Sequence, residues 1–298
     1  MGPADVSHRF KHLPSAFRYF PRAVFGRRHA LVPAGSVVPR LEGRVDRVLT
    51  SRRHLARYRE ICGFSDDGCL PLTYPHVIAM PLHYAILTHP HFVVRLMGLI
   101  HVANDIHQSR PLPADRAFAL RSWIEGHREV DRGHEFDVFT SVEDGEGAAW
   151  LEKSTLLSRR TSGGKQASRS ARQTLRYEKP GEGEATSIAD VDVPRAVGRR
   201  YGWLSGDLNP IHLADRGAKL FGFDRAVAHG MWSMARSLAA LGGDALAPPV
   251  DVHVEFKFPL FMPTIARLEN WGKDGRRVFV LKDLESERPH LAGSARRG

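Results

Sequence analysis

From Val250 to Leu260 the residues alternate: Val250, Val252, Val254, Phe256 and Phe258 fall on one face, and Asp251, His253, Glu255 and Lys257 on the other. A period of two predicts a half-buried strand. A turn follows, with a second strand expected over 265–271. The stretch 100–112 repeats the alternation, ends in the same Pro-Leu and is also followed by a strand, at 118–124. Two further strand pairs, 136–142 with 148–157 and 277–284 with 290–295, complete two similar sets. Each set has a helical stretch near its centre, 77–87 in the first and 230–241 in the second. One helix against successive antiparallel strands, occurring twice, is an α+β architecture. The two sets read as distant copies of one unit.

Residues 159–187 have almost no apolar periodicity, run through Thr-Ser-Gly-Gly-Lys-Gln-Ala-Ser and Pro-Gly-Glu-Gly-Glu, and read as a basic linker. It separates a unit at 36–158 from a second at 188–298 and leaves 1–35 as a basic N-terminal tail. The expected state of that tail is disordered or lying against the body. A length of 298 residues suits two domains, and 42% hydrophobic residues supply their cores. The net charge of +10 is concentrated in residues 1–60, with thirteen Lys/Arg against four Asp/Glu, and in 159–179, with seven against one. Such patches attract anions of any kind, so charge alone does not choose between nucleic acid, a phosphorylated cofactor and an acidic carrier protein. No apolar run approaches the roughly 20 residues of a membrane span. Arg9, Lys11, Arg18 and Arg22 interrupt any secretory signal. Cys62 and Cys69 are the only cysteines and form neither a C-x-x-C pair nor a disulfide framework, so a reduced cytoplasmic protein is expected.

The chemistry is concentrated in Leu204-Ser-Gly-Asp207-Leu-Asn209-Pro-Ile-His212. The preceding helix is expected to be capped by Asp192, to carry Pro194 in its first turn and Arg199 and Arg200 near its far end, and to stop at about Leu204. Asp207, Asn209 and His212 then fall in the loop after it. An Asn-Pro turn can bring a carboxylate and an imidazole onto one side of a cleft. Downstream, Gly230 opens the second helix, where its N–H is placed to stabilise a developing oxyanion. Taken on their own these residues fit several readings, since Asp-x-Asn-Pro is also ordinary turn chemistry. The sixteen histidines show no H-E-x-x-H spacing, and no Walker or G-x-G-x-x-G loop is present, so neither metal nor nucleotide cofactor is expected.

The blocks Tyr201-Gly-Trp-Leu-Ser-Gly-Asp-Leu-Asn-Pro-Ile-His-Leu, Ala218-Lys-Leu-Phe-Gly-Phe223 and Ala228-His-Gly-Met231, followed by Phe256 to Pro263, resemble in order the hydratase 2 signature of the MaoC-like family. In the first half, Leu70-Pro-Leu-Thr-Tyr-Pro, Gly98-Leu-Ile-His and Arg110-Pro-Leu resemble the two-hotdog 3-hydroxyacyl-thioester dehydratases of mycobacteria. The resemblance covers about residues 36–298 and implies a double hotdog. It also implies (R)-specific enoyl-thioester hydration and the reverse dehydration of 3-hydroxyacyl thioesters, in fatty-acid metabolism and without a cofactor. The implied site is Asp207 and His212 for proton transfer, Asn209 to position the loop or a water, and Gly230 for the oxyanion. His229 is expected to be a structural donor. Aligning 77–82 with 226–231 puts Pro81, which has no N–H, at the oxyanion position of the first copy. Asp66 and Asp67 have no histidine five residues on, so this copy is expected to be degenerate. It would shape the acyl tunnel, with Leu82, Phe92 and Met97 as lining candidates. The implied partner is acyl-CoA or acyl carrier protein, met by Arg199, Arg200 or the linker, with no nucleic acid. The two copies would form a pseudo-dimer within one chain, with a homodimer also open. The rival readings are a hotdog acyl-CoA thioesterase and a non-catalytic acyl-thioester or nucleic-acid binding protein.

Overall fold

The computed structural model describes residues 5–26, 28–160, 187–273 and 275–298. The first half runs β1 (Val6–Phe10), α1 (Phe20–Phe25), β2 (Leu41–Val48), α2 (Arg52–Cys62), α3 (Tyr74–Leu87), β3 (Leu99–Gln108), β4 (Phe118–Ile124), β5 (Arg128–Val130), β6 (Gly133–Asp144) and β7 (Gly147–Arg159). The second runs β8 (Ser187–Val193), α4 (Val197–Ser205), α5 (Pro210–Leu213), α6 (Asp215–Lys219), α7 (Gly230–Leu241), β9 (Val250–Phe256), β10 (Thr264–Lys273), β11 (Arg276–Asp283) and β12 (Pro289–Arg297).

All these strands join one sheet in the order β1-β2-β4-β6-β7-β3-β9-β12-β11-β10-β8, with β5 off this path on β6. The duplication is visible in that order. In each half the first strand (β2, β8) lies outward, the strand after the central helix (β3, β9) lies at the middle, and the last three fill the space between. β3 and β9 pair antiparallel across the middle, placing Asp105 opposite His253 and His107 opposite Asp251. The short sequence Asp-x-His occurs on both strands, so each carboxylate meets the other strand's imidazole, at 2.6 Å for Asp105–His253 and 2.7 Å for Asp251–His107. One buried apolar cluster runs through both halves, from Val45, Leu55 and Tyr58 to Trp232, Leu281 and Ala295. The double hotdog expected from the resemblance is the observed fold.

Several elements differ from the sequence reading. Asp192 caps no helix: it lies in β8, opposite Ile265 of β10. Helix α4 begins at Val197, after Ala196, which offers no side-chain cap, so Arg199 and Arg200 fall in its first half. The first segment contributes structure: Val6–Phe10 pairs parallel with 41–45 and covers the outer edge of β2. The linker reading at 159–187 falls almost wholly on 161–186, outside the described residues. Helix α2 carries only Leu55, Tyr58 and Cys62 as buried apolar residues among charged ones. It is bounded by a Ser51 side chain accepting the His54 N–H and by Gly63 at φ 83°, where the left-handed turn suits glycine. It ties the halves together: the His54 Nε2–H donates to the Leu204 carbonyl at 2.9 Å, and the Trp232 Nε1–H donates to the Ile61 carbonyl at 3.0 Å. Leu82 and Phe92 are fully buried in two separate apolar clusters.

Candidate active site

Helix α4 ends at Ser205, and Gly206 at φ 83° turns the chain back on it, its N–H bonded to the Gly202 carbonyl at 2.9 Å. The reversal brings Asp207 over the helix it has just left. The Asn209 N–H then donates to Asp207 Oδ1 (3.2 Å), the Asn209 side chain accepts from the Ile211 N–H (3.4 Å), and Pro210 starts the single turn α5. Two successive side-chain-to-backbone turns therefore account for the Asp-x-Asn-Pro spacing. His212 lies on α5, and its Nδ1–H is held by the Val227 carbonyl at 2.6 Å. Nε2 is left outside that bond and stands 3.9 Å from Asp207 Oδ2. This gap is too long for a hydrogen bond and leaves both groups within reach of one small hydroxyl between them.

The turn can lie this low because α4 presents glycines to it. A Cβ at Gly198 would stand 2.0 Å from the His212 carbonyl oxygen, and one at Gly202 would stand 2.9 Å from that of Asp207. Sequence reasoning passed over both. The i, i+4 spacing of two glycines inside a predicted helix was the available signal.

His229, the residue before α7, is 3% exposed and stacks on His212 with centroids 3.9 Å apart. Its Nε2–H donates to the Asp207 backbone carbonyl at 3.0 Å, so it holds the turn as a structural donor. Burial first, and the His212 ring second, push its imidazole down to about 3, which leaves it neutral. At Asp207 burial pushes the carboxyl up, but His229, His212 and the Asn209 N–H outweigh it and hold the group below its ordinary value. The site thus pairs a carboxylate with an imidazole whose tautomer is fixed. Asp207, His212 and His229 also lie close enough together to suggest a metal cage. The donor set does not fit one, because the hydrogen on His229 Nε2 is committed to a carbonyl and only two ligating atoms remain.

Gly230 is the first residue of α7, where backbone N–H groups have no acceptor within the helix. A Cβ there would meet the Phe256 ring at 3.1 Å. The first copy offers no equivalent. Pro81 does not occupy this position: α3 begins at Tyr74, which places Pro81 inside the helix. The residue that opens α3 is Tyr74, and its N–H is already donated to the Pro71 carbonyl at 2.8 Å. Asp66 and Asp67 stand exposed beside Arg59 with their carboxylates on the Gly68 and Cys69 N–H groups. Arg200 is paired with Glu60 at 2.5 Å.

Residues 176–292 match the family described as MaoC like domain. The 3-hydroxyacyl-thioester dehydratase X of Mycobacterium tuberculosis is 31% identical over 285 residues, 95% of this chain and 98% of that protein. Among solved structures, HtdX of Mycobacterium tuberculosis is 29% identical with a TM-score of 0.72, over 86% of this chain and 100% of that one. A MaoC-like dehydratase of Phytophthora capsici shares the fold at 20% identity, with a TM-score of 0.68 over 88% of this chain and 96% of that one.

Proposed function

This chain belongs to the MaoC-like dehydratase family, and from that premise we propose that it is an (R)-specific hydro-lyase of fatty-acid metabolism. It interconverts 3-hydroxyacyl and trans-2-enoyl thioesters at Asp207, His212 and Gly230. The observation that carries the site assignment is the 3.9 Å gap between Asp207 Oδ2 and His212 Nε2, with the far side of the imidazole anchored on Val227.

In this reading a water in the gap donates one hydrogen bond to each group. As its oxygen bonds to C3 of the enoyl chain, its proton passes to His212 Nε2. The electron pair of the double bond moves onto C2 and the thioester oxygen. The Gly230 N–H stabilises that negative oxygen, and the imidazolium returns its proton to C2 on the same face. Asp207 stays ionised, orients the water and stabilises the transient imidazolium. Asn209 holds Asp207 in place through its own N–H. Dehydration is the same path reversed.

Hydration of crotonyl-CoA, followed by loss of the conjugated absorbance, tests the reading. We expect D207N and H212N to lower kcat by a factor of about 10²–10⁴, the usual range for removal of a general acid–base group. Full activity in D207N would overturn the assignment. Release of free thiol without loss of the enoyl group would turn the reading to a thioesterase. For the carrier, exposed Arg199 is the candidate for CoA phosphates or an acidic protein surface, since Arg200 is already paired. R199E should raise KM for whichever carrier this arginine meets.

A further inference from the structure

The first half contains a polar cluster that the proposed reaction does not use. Glu152 of β7 is fully buried, and both its oxygens face His76 Nδ1, at 2.8 and 2.9 Å. The Asn104 Nδ2 amide donates to Glu152 Oε1 at 2.7 Å and to Ser154 Oγ at 3.0 Å. A carboxylate this deep is retained at a large desolvation cost and tolerates no loss of partners.

A register shift in β3 between His101 and Ala103 puts His101 on the same inward face as Asn104; bulges re-aim side chains in this way beside functional sites. The His101 ring lies nearly parallel to that of His76, with centroids 6.1 Å apart, and stands 4.8 Å from the ring of Phe256. Burial pushes its imidazole down to about 3, so it is neutral. His101 Nε2 and Asn104 Oδ1 are both buried and have no hydrogen-bond partner among the described residues. Asn104 itself is wholly buried. By contrast His83 nearby is satisfied, bonded to Thr140 at 2.7 Å, which in turn meets Ser122 at 3.1 Å. The unmet need is therefore local: two buried polar atoms of one cluster, His101 Nε2 and Asn104 Oδ1, stand without a partner among the described residues.

The cluster also lies beside the reacting centre. Phe256 separates it from Gly230, whose added Cβ would touch that same ring. A chain extending from a thioester held at Gly230 would pass Phe256 to reach it.

We propose that His101 and Asn104, beside the His76–Glu152 pair, form a subsite for a hydroxyl group carried on the acyl chain beyond the reacting carbons. The inference rests on the hydratase reading for the identity of the thioester. A hydroxyl can donate to Asn104 Oδ1 and serve the His101 nitrogen as donor or acceptor. The neutral His101 ring, and a Glu152 side chain already met by His76 and Asn104, favour an uncharged group. An alkyl chain would leave both atoms buried and unpaired, a penalty that binding sites of this type use to reject analogues lacking a hydroxyl.

The test compares hexenoyl-, octenoyl- and decenoyl-CoA with their ω-hydroxy counterparts on the full chain. At one of these lengths the hydroxylated substrate should have a kcat/KM at least about tenfold above its alkyl twin. N104L and H101F should collapse that ratio. It is taken within each protein, so a general loss of activity cancels. Calorimetric titration with the saturated CoA pairs of the same lengths reads the preference without turnover. The subsite is overturned if wild type shows no preference at any length by either measurement, or if the preference survives both substitutions. Hydration of crotonyl-CoA without a hydroxyl preference would sink the subsite alone. A calorimetric preference in a protein that hydrates nothing would sink the hydratase reading alone.

Discussion

At Gly230 a single carbon is enough to disturb the site. Its Cβ would stand 3.1 Å from two atoms of Phe256, so either the ring or the start of α7 must shift. For an N–H that acts through distance and angle, a shift of this size matters more than the added volume. Gly230→Ala should lower kcat by about tenfold to a hundredfold while leaving the thermal midpoint within a few degrees. An unchanged kcat would remove Gly230 from the site. The residues of the proposed site were the most legible part of the sequence, because the Asp207-x-Asn209-Pro210-x-His212 spacing is dictated by two local turns that need no tertiary information. What the sequence did not disclose was the partner of each atom. That His212 Nδ1 is held by Val227, fifteen residues away, depends on the α5 turn docking against another segment.

At the scale of elements, α4 supports the site through what it lacks. Gly198 and Gly202 leave a flat strip on which the Asp207–His212 turn rests. In an exposed helix a glycine-to-alanine change is worth about 1 kcal/mol of stabilisation. Here Gly198→Ala drives a methyl to 2.0 Å from a backbone carbonyl and should destabilise the fold by about 2 kcal/mol or more, with loss of activity. Equilibrium unfolding in urea measures it; a stabilised, active variant would show that the turn does not rest on this strip. The same region shows where element boundaries escaped the sequence. Asp192-x-Pro194 has the form of a helix start, yet 188–193 is a strand whose Val191 and Val193 are buried and whose Asp190 is exposed. The sheet overrode the local signal, because β10 supplies hydrogen bonds along the whole length of β8. Helix α2 escaped for the opposite reason. Three buried apolar residues among Arg52, Arg53, Arg57, Arg59 and Glu60 give a faint stripe, and what stabilises the helix is the second half of the chain, which local patterning does not show.

For the molecule as a whole, the duplication was readable from the two alternating stretches, but their adjacency was not. The seam between β3 and β9 is titratable. Asp105, with Glu255 in support, raises the His253 imidazole above its ordinary 6.5, against burial and Lys153, which lower it. The stability this group adds is therefore fully present below about pH 6.5 and is lost as pH rises through the higher folded-state value. With both side chains well exposed, solvent screening keeps the effect small. The thermal midpoint of wild type should exceed that of His253→Asn by about 1–2 °C near pH 6, with the gap closing toward pH 9. A gap that widens with pH would contradict the pairing.

The seam has one further consequence. Because Asp-x-His is its own complement when two strands run antiparallel, β3 would satisfy a second β3 as well as it satisfies β9. Nothing in these four side chains distinguishes the correct partner from a copy on another molecule. The discrimination comes from the contacts α2 makes with the second half and from covalent tethering, which sets a high effective concentration for the intramolecular pairing and makes every other pairing dependent on protein concentration. Separating the coding sequence between the halves would thus free each to meet its own kind. A fold that behaves as one subunit would become a population of competing assemblies, one of them lacking any copy of Asp207 and His212.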